Sequence, residues 1–177
     1  MQELIHRQDD AWVGPVSIND WPEIRDLQRE FSKTRFQNYI SGTLAELETF
    51  YVKSRAWPER VGFLQVRWMG HLCGLAALML VDAPQLGNSE NPVDRQCFIH
   101  SVYIAPRVQV LQSSTRVPAY VGKVMCEGME RWAKRPRPDG LGGATKLFGN
   151  VRLDGNFGGF SRKFGFLKTH SVVVKDL

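Results

Sequence analysis

Val117-Pro-Ala-Tyr-Val-Gly-Lys-Val-Met-Cys-Glu-Gly-Met-Glu-Arg-Trp-Ala-Lys134 is the stretch from which the fold can be read. Its apolar residues fall at 117, 121, 124, 125, 129, 132 and 133, a stripe with the 3.6-residue period of an amphipathic helix. Pro118 stands where a helix tolerates proline, in the first turn, and Pro136 and Pro138 end the run. Burying such a stripe contributes about 1.5–3 kcal/mol per large side chain, before conformational entropy is set against it. Upstream, Gln96-Cys-Phe-Ile-His-Ser-Val-Tyr-Ile104 reads as a strand stopped by Pro106, and 107–116 as an irregular loop. Downstream, glycines at 140, 142 and 143 make a flexible connection. A strand at 146–152, a short helix at 157–164 and a terminal strand at 170–175 follow.

Toward the N-terminus, Val61-Gly-Phe-Leu-Gln-Val-Arg67 and 71–81 flank a turn at Met69-Gly70, the pattern of an antiparallel hairpin. The segment 82–94, rich in Pro, Gly, Asn and Ser, reads as a loop. Thr43-Leu-Ala-Glu46 is a capping box opening a helix, with Leu44, Leu47, Phe50 and Tyr51 on one face and Pro58 closing it. Asp20-Trp-Pro-Glu23 reads as an earlier helix start capped by Asp20, its helix ending near Ser41-Gly42. Trp12-Val-Gly-Pro-Val-Ser-Ile18 is a short strand-like opening. The expected order is β-α-α-β-β-β-α-β-α-β. It predicts one α/β domain of the α+β type over 1–177, with a mixed, mostly antiparallel central sheet flanked by helices.

Composition narrows the class. The chain has 177 residues, 43% apolar and 23% charged, enough to bury a core and too apolar for disorder. No apolar run approaches the length of a membrane span; the longest, Cys73 to Val81, reads as a buried strand. Three cysteines, at 73, 97 and 126, lack paired spacing and argue against a disulfide scaffold. With no secretory signal visible, the expected compartment is the cytoplasm. Charge is unevenly placed: residues 1–99 carry 10 Lys/Arg against 13 Asp/Glu, and 100–177 carry 13 against 5. A basic second half suits an anionic partner, either a phosphate-bearing cofactor or a nucleic acid.

Several chemistries find no motif. The chain has no Walker phosphate loop, no Gly-x-Ser-x-Gly elbow and no His-Glu-x-x-His. Cys97-x-x-His100 and His71-x-Cys73 pair metal-ligating types, but both lie on strands without the compact four-ligand spacing of a zinc site, so no metal is expected. Gly155-Asn-Phe-Gly-Gly159 lacks the spacing of a dinucleotide fingerprint.

Three segments together resemble the Gcn5-related N-acetyltransferase (GNAT) superfamily. They are the strand ending Val102-Tyr-Ile-Ala-Pro106, the helix from Tyr120, and the tail Asp154-Gly-Asn-Phe-Gly-Gly-Phe-Ser-Arg-Lys-Phe-Gly-Phe166. The element order over 12–177 also fits. The resemblance implies transfer of an acetyl group from acetyl-CoA to an amine by direct attack, with no metal and no covalent enzyme intermediate. It implies a strand that splays from its neighbour and offers backbone groups of Val102, Tyr103 and Ile104 to the pantetheine amides. It also implies a helix start, Tyr120, Val121, Gly122 and Lys123, cradling the pyrophosphate, as helix N-termini do. Arg116 is a further phosphate candidate. Asp154 aligns with the family's loop asparagine, and Asn156 stands two residues on.

The departures from the family's pattern are specific. Its loop usually reads Arg/Gln-x-x-Gly-x-Gly/Ala; aligned through Gly122, Val117 and Tyr120 stand at the first two marked places, with Pro118 between them, and only Gly122 matches. Ser161 occupies the position of the tyrosine that protonates the leaving thiolate in many members. His100 lies on the strand that usually supplies a general base, and an imidazole is a side chain suited to such work. Strand alternation would turn His100 and Ser101 to opposite faces. Glu46 and Glu48 are candidates for lining an amine-substrate mouth. The acceptor stays open between a small molecule and a protein, and an oligomer is compatible. Two other functions remain: a nucleic-acid (base) modifying protein on this fold, and a non-catalytic binding protein with a degenerate CoA loop.

Overall fold

The computed structural model describes residues 4–32, 44–84, 93–105, 107–108, 118–138, 140, 142–150, 167–169 and 172–176. Eight strands form one sheet: β1 (His6–Gln8), β2 (Ala11–Pro15), β3 (Val61–Trp68), β4 (His71–Pro84), β5 (Val93–Ile104), β6 (Lys146–Asn150), β7 (Leu167–Thr169) and β8 (Val172–Asp176). Their order across the sheet is β1-β2-β3-β4-β5-β6-β8-β7. Neighbours run antiparallel except β5 and β6, which are parallel and joined through helix α3 (Pro118–Lys134). Helices α1 (Trp21–Ser32) and α2 (Leu44–Ala56) connect β2 to β3.

The two faces of the sheet are set by strand alternation. In β3, Gly62 lies under the Trp132 ring of α3, where an added Cβ would stand 2.7 Å from the indole. One residue out of phase, Gln65 bonds Asp20 at the foot of α1. So α3 covers one face, and α1 and α2 cover the other. The predicted stripe of α3 is buried at Val121, Val124, Met125, Met129, Trp132 and Ala133. Gly128 lets the helix settle onto Val13, whose Cγ1 would be 2.7 Å from a Cβ there. Val117 lies outside the described residues.

The hairpin turn holds Met69 and Gly70 at φ +50° and +82°, the primed turn that matches strand twist. Three readings need correction. The loop expected over 82–94 is shorter, because the β4–β5 ladder continues through Asp82↔Arg95 to Pro84↔Val93. The charges are accommodated by each other: buried Arg95 donates to Asp82 (2.8 Å) and to the Gly142 carbonyl (3.0 Å). Asp20 does not itself cap α1. Ser17 caps a 3-10 turn, Ile18–Asp20, and Asp20 closes the capping box by accepting the Ser17 N–H at 2.6 Å. Finally, β1 and β7 are additional three-residue strands, too short for periodicity to announce. The expected helix end at 41–42, the cap at Thr43 and the short helix at 157–164 lie outside the described residues.

Candidate functional site

The site is built on β5. On one edge this strand pairs with β4 along its length, from Pro84↔Val93 to Gly74↔Ile104. On the other edge it pairs with β6 from Gln96↔Lys146 to Ile99↔Gly149 and, among the described residues, no further. Beside the last described β5–β6 pair the β4 register slips. Leu78 faces Ile99 and Ala77 faces Ser101, so His100 is an extra residue, a β-bulge. A bulge bends its strand and strengthens the local twist.

The ladder also sets which backbone groups face β4. The Ala105 N–H donates to the Cys73 carbonyl at 2.7 Å. In an antiparallel ladder the alternate residue, Tyr103, then turns its N–H and C=O toward Leu75 of β4. Val102 and Ile104 turn theirs away from β4. Tyr103 is itself buried, and burial pushes its phenol well above the ordinary value.

His100 stands between two rings. Its imidazole centroid is 4.5 Å from that of Phe50 on α2 and 6.3 Å from that of Phe98, the latter edge-on. Its Nδ1 is enclosed and has no hydrogen-bond partner. Ser101 pairs with Ala77 in the row of Phe63, the phase of β3 that faces α1 and α2. The bulge therefore puts His100 and Ser101 on the same side, not on opposite faces as simple alternation predicts. Glu46 and Glu48 are exposed, flanking the buried Leu47–Phe50 stripe of α2.

Helix α3 starts at the end of the sheet where β5 finishes. Trp132 lies over Gly62, Gly128 over Val13, and the Val13 row runs through Val66 and Gly74 to Ile104. Tyr120 is in its first turn, and Val121 and Gly122 are buried. Lys123 is exposed and ion-paired with Glu127 (3.6 Å), whose other oxygen lies 2.7 Å from His6 Nε2 on β1. Arg116, Asn156 and Ser161, with Asp154, lie outside the described residues.

Sequence reasoning missed the polar cluster that docks α1. Arg67 donates to Asp20 (3.0 Å), Glu23 (2.6 Å) and Gln65 (2.8 Å), and Glu23 also accepts the Leu72 N–H at 3.2 Å. Burial pushes the Glu23 carboxyl up, but the bonds from Arg67 and Leu72 outweigh it and hold it below its usual value. Arg107 adds bonds to Glu30 and to the Leu72 carbonyl. The available signal was Gln65 and Arg67 at the end of an otherwise apolar strand.

Cys73, Cys97 and Cys126 are separate and buried, and burial pushes the Cys97 thiol up to about 12. Among the described residues no group of three or more His, Cys, Asp or Glu could hold a metal ion, and no helix is long and apolar enough to cross a membrane.

No protein-family model matches the sequence, and no curated protein matches it. Solved structures match closely in shape. PaiA N-acetyltransferase from Thermoplasma acidophilum, in complex with coenzyme A, aligns at TM-score 0.62 and 16% identity, covering 94% of this chain and 99% of that one. RimL, a ribosomal L7/L12 alpha-N-protein acetyltransferase in complex with coenzyme A, aligns at TM-score 0.63 and 9% identity, covering 99% and 98%. Arabidopsis thaliana Naa50, in complex with the bisubstrate analogue CoA-Ac-MVNAL, aligns at 0.57 and 11%, covering 95% and 99%. The fold is that of the GNAT acetyltransferases.

Proposed function

We propose that this protein is an N-acetyltransferase that moves an acetyl group from acetyl-CoA to an amine. The observation that carries the reading is the β-bulge at His100 on β5, beside the last described β5–β6 pair and on the run of β5 that leads to the end of the sheet where α3 begins. An extended thioester arm suits this end of β5, because Val102 turns its amide N–H and C=O away from β4, the direction the arm's own amides need. The unpaired backbone N–H groups at the start of α3 belong to Ala119 and Tyr120, since Pro118 has none; with the helix dipole they suit the pyrophosphate, beside the candidates Val121, Gly122 and Lys123 of the next turn. Arg116, Asn156 and the basic second half are the further candidates for phosphate contact. The CoA or acetyl-CoA held by fold neighbours supports the same assignment.

In the reaction the acceptor nitrogen attacks the thioester carbon, a C–N bond forms and the C–S bond breaks. One proton leaves the nitrogen and one reaches the departing sulfur. His100 is the candidate to take the first, directly or through water, and the Ser161 hydroxyl the candidate to supply the second. The tautomer that leaves Nε2 free to accept carries its hydrogen on Nδ1, which has no acceptor here. A purely structural His100 is therefore the rival reading, and pH separates the two. His100→Ala in a catalytic role depresses kcat mainly below pH 8, where the amine is protonated; a uniform small loss marks a structural role.

Calorimetric titration with acetyl-CoA tests the whole assignment. The parent should bind acetyl-CoA saturably. Absence of binding to the parent would instead favour a non-catalytic protein on this fold.

A further inference from the structure

We infer that the acceptor at this site is a primary amine carried on an aromatic body. The inference rests on the acetyltransferase reading and names the substrate class for it. Phe98 and Phe148 face each other across the β5–β6 pair, with centroids 5.2 Å apart, one register step before the last described pair, Ile99↔Gly149. His100 follows at the bulge, and Phe50 closes over it from α2. Phe98, His100 and Phe148 are each only half-buried, whereas Phe63 and Trp132 in the core are closed off. The rings form a shelf continuous with the place where the acetyl group would be transferred, and Met79, paired with Phe98, extends it in apolar side chains.

An amine carried on an aromatic ring finds the surface it can pack on here. The ring stacks or packs edge-on against Phe98 and Phe148, and the apolar surroundings favour the neutral amine, the form that attacks a thioester. Two sources share this chemistry: a free arylalkylamine, and the amino terminus of a peptide beginning with an aromatic residue.

The test compares four acceptors with acetyl-CoA on the full chain: 2-phenylethylamine, a tetrapeptide amide beginning with Phe, the same peptide beginning with Asp, and spermidine. At least one aromatic amine should exceed spermidine and the Asp peptide tenfold or more in kcat/KM. Whichever aromatic acceptor leads identifies the source. Phe148→Leu, which keeps an apolar side chain at this position, should raise KM for that acceptor several-fold and leave the acetyl-CoA Kd unchanged. Equal use of spermidine, or an unaltered KM in Phe148→Leu, overturns the inference while leaving the transferase reading intact. If acetyl-CoA fails to bind, the transferase reading falls by itself. Binding of 2-phenylethylamine, followed by changes in aromatic proton resonances, still decides the shelf: saturable binding weakened in Phe148→Leu supports it, and no binding refutes it.

Discussion

Replacing Arg67 with methionine isolates the cluster that fixes α1 to the sheet. The guanidinium is 11% exposed and reaches Asp20, itself 9% exposed, as well as Glu23, Gln65 and the Gly70 carbonyl. Removing one member of a buried ion pair costs about 3–5 kcal/mol, because the other charge stays in place without its partner. Two facts put this case near the lower limit. Glu23 is 45% exposed and rehydrates, and Asp20 keeps the Ser17 N–H and the Gln65 amide, both at 2.6 Å. The expected loss is therefore about 3 kcal/mol, roughly 6–12 °C in Tm for a chain of this size. Urea unfolding followed by circular dichroism measures it. Adding Asp20→Asn to Arg67→Met should restore about half of the loss, since the stranded charge is gone. A loss below about 1 kcal/mol, or a double variant no more stable than the single, would refute the reasoning.

Acid should unfold the protein through its paired carboxylates. Bonds from Arg95 hold Asp82 below its usual value against burial, with Arg60 assisting, and Glu23 is also lowered on balance. Folded values below the unfolded ones mean stability that is full above about pH 4–4.5 and is lost as pH falls through the folded values. Asp82→Asn should flatten the stability–pH curve in that window, and an unchanged slope would count against the pairing. Gly74→Ala should cost about 1–3 kcal/mol by overpacking. Its Cβ would meet the Tyr103 carbonyl, with Ile104 Cδ1 at 2.9 Å and Val66 Cγ1 at 3.0 Å, so acetyl-CoA binding should weaken with it. Lys123→Ala should change the acetyl-CoA Kd less than about twofold, because the ammonium is held by Glu127. A tenfold loss by calorimetry would place Lys123 on a phosphate instead.

The helices and long strands were legible because each carries its own period over many residues. The α3 stripe is the clearest case, and Met69-Gly70 announced its turn through glycine. What stayed hidden depends on partners distant in sequence. Asp82 and Arg95 look like loop residues until the ladder sets them side by side, and Arg67 meets Asp20 across more than forty residues. The bulge at His100 was equally silent, since Ile-His-Ser-Val alternates acceptably and only the β4 register reveals the extra residue. For the candidate site, the strand and the helix were readable from the order of elements. Which of Val102, Tyr103 and Ile104 faces β4 required hydrogen-bond phase, which no composition carries.

Among the described residues, the β5–β6 pairing joins two leaves of the sheet by the shorter of the two seams that β5 makes. The β4–β5 ladder runs from Gly74 to Pro84, while the described β5–β6 ladder runs only from Gln96 to Ile99. Amide hydrogens along the shorter seam should therefore exchange with deuterium in smaller, local openings, well before those of β3 and β4 that need global unfolding. A molecule wedged between the leaves would touch both and bind the closed seam in preference to the opened one. Its affinity would then be felt as slower exchange at Leu147 and Gly149, residues it need not contact, so a ligand too small to bridge the leaves would leave that exchange untouched.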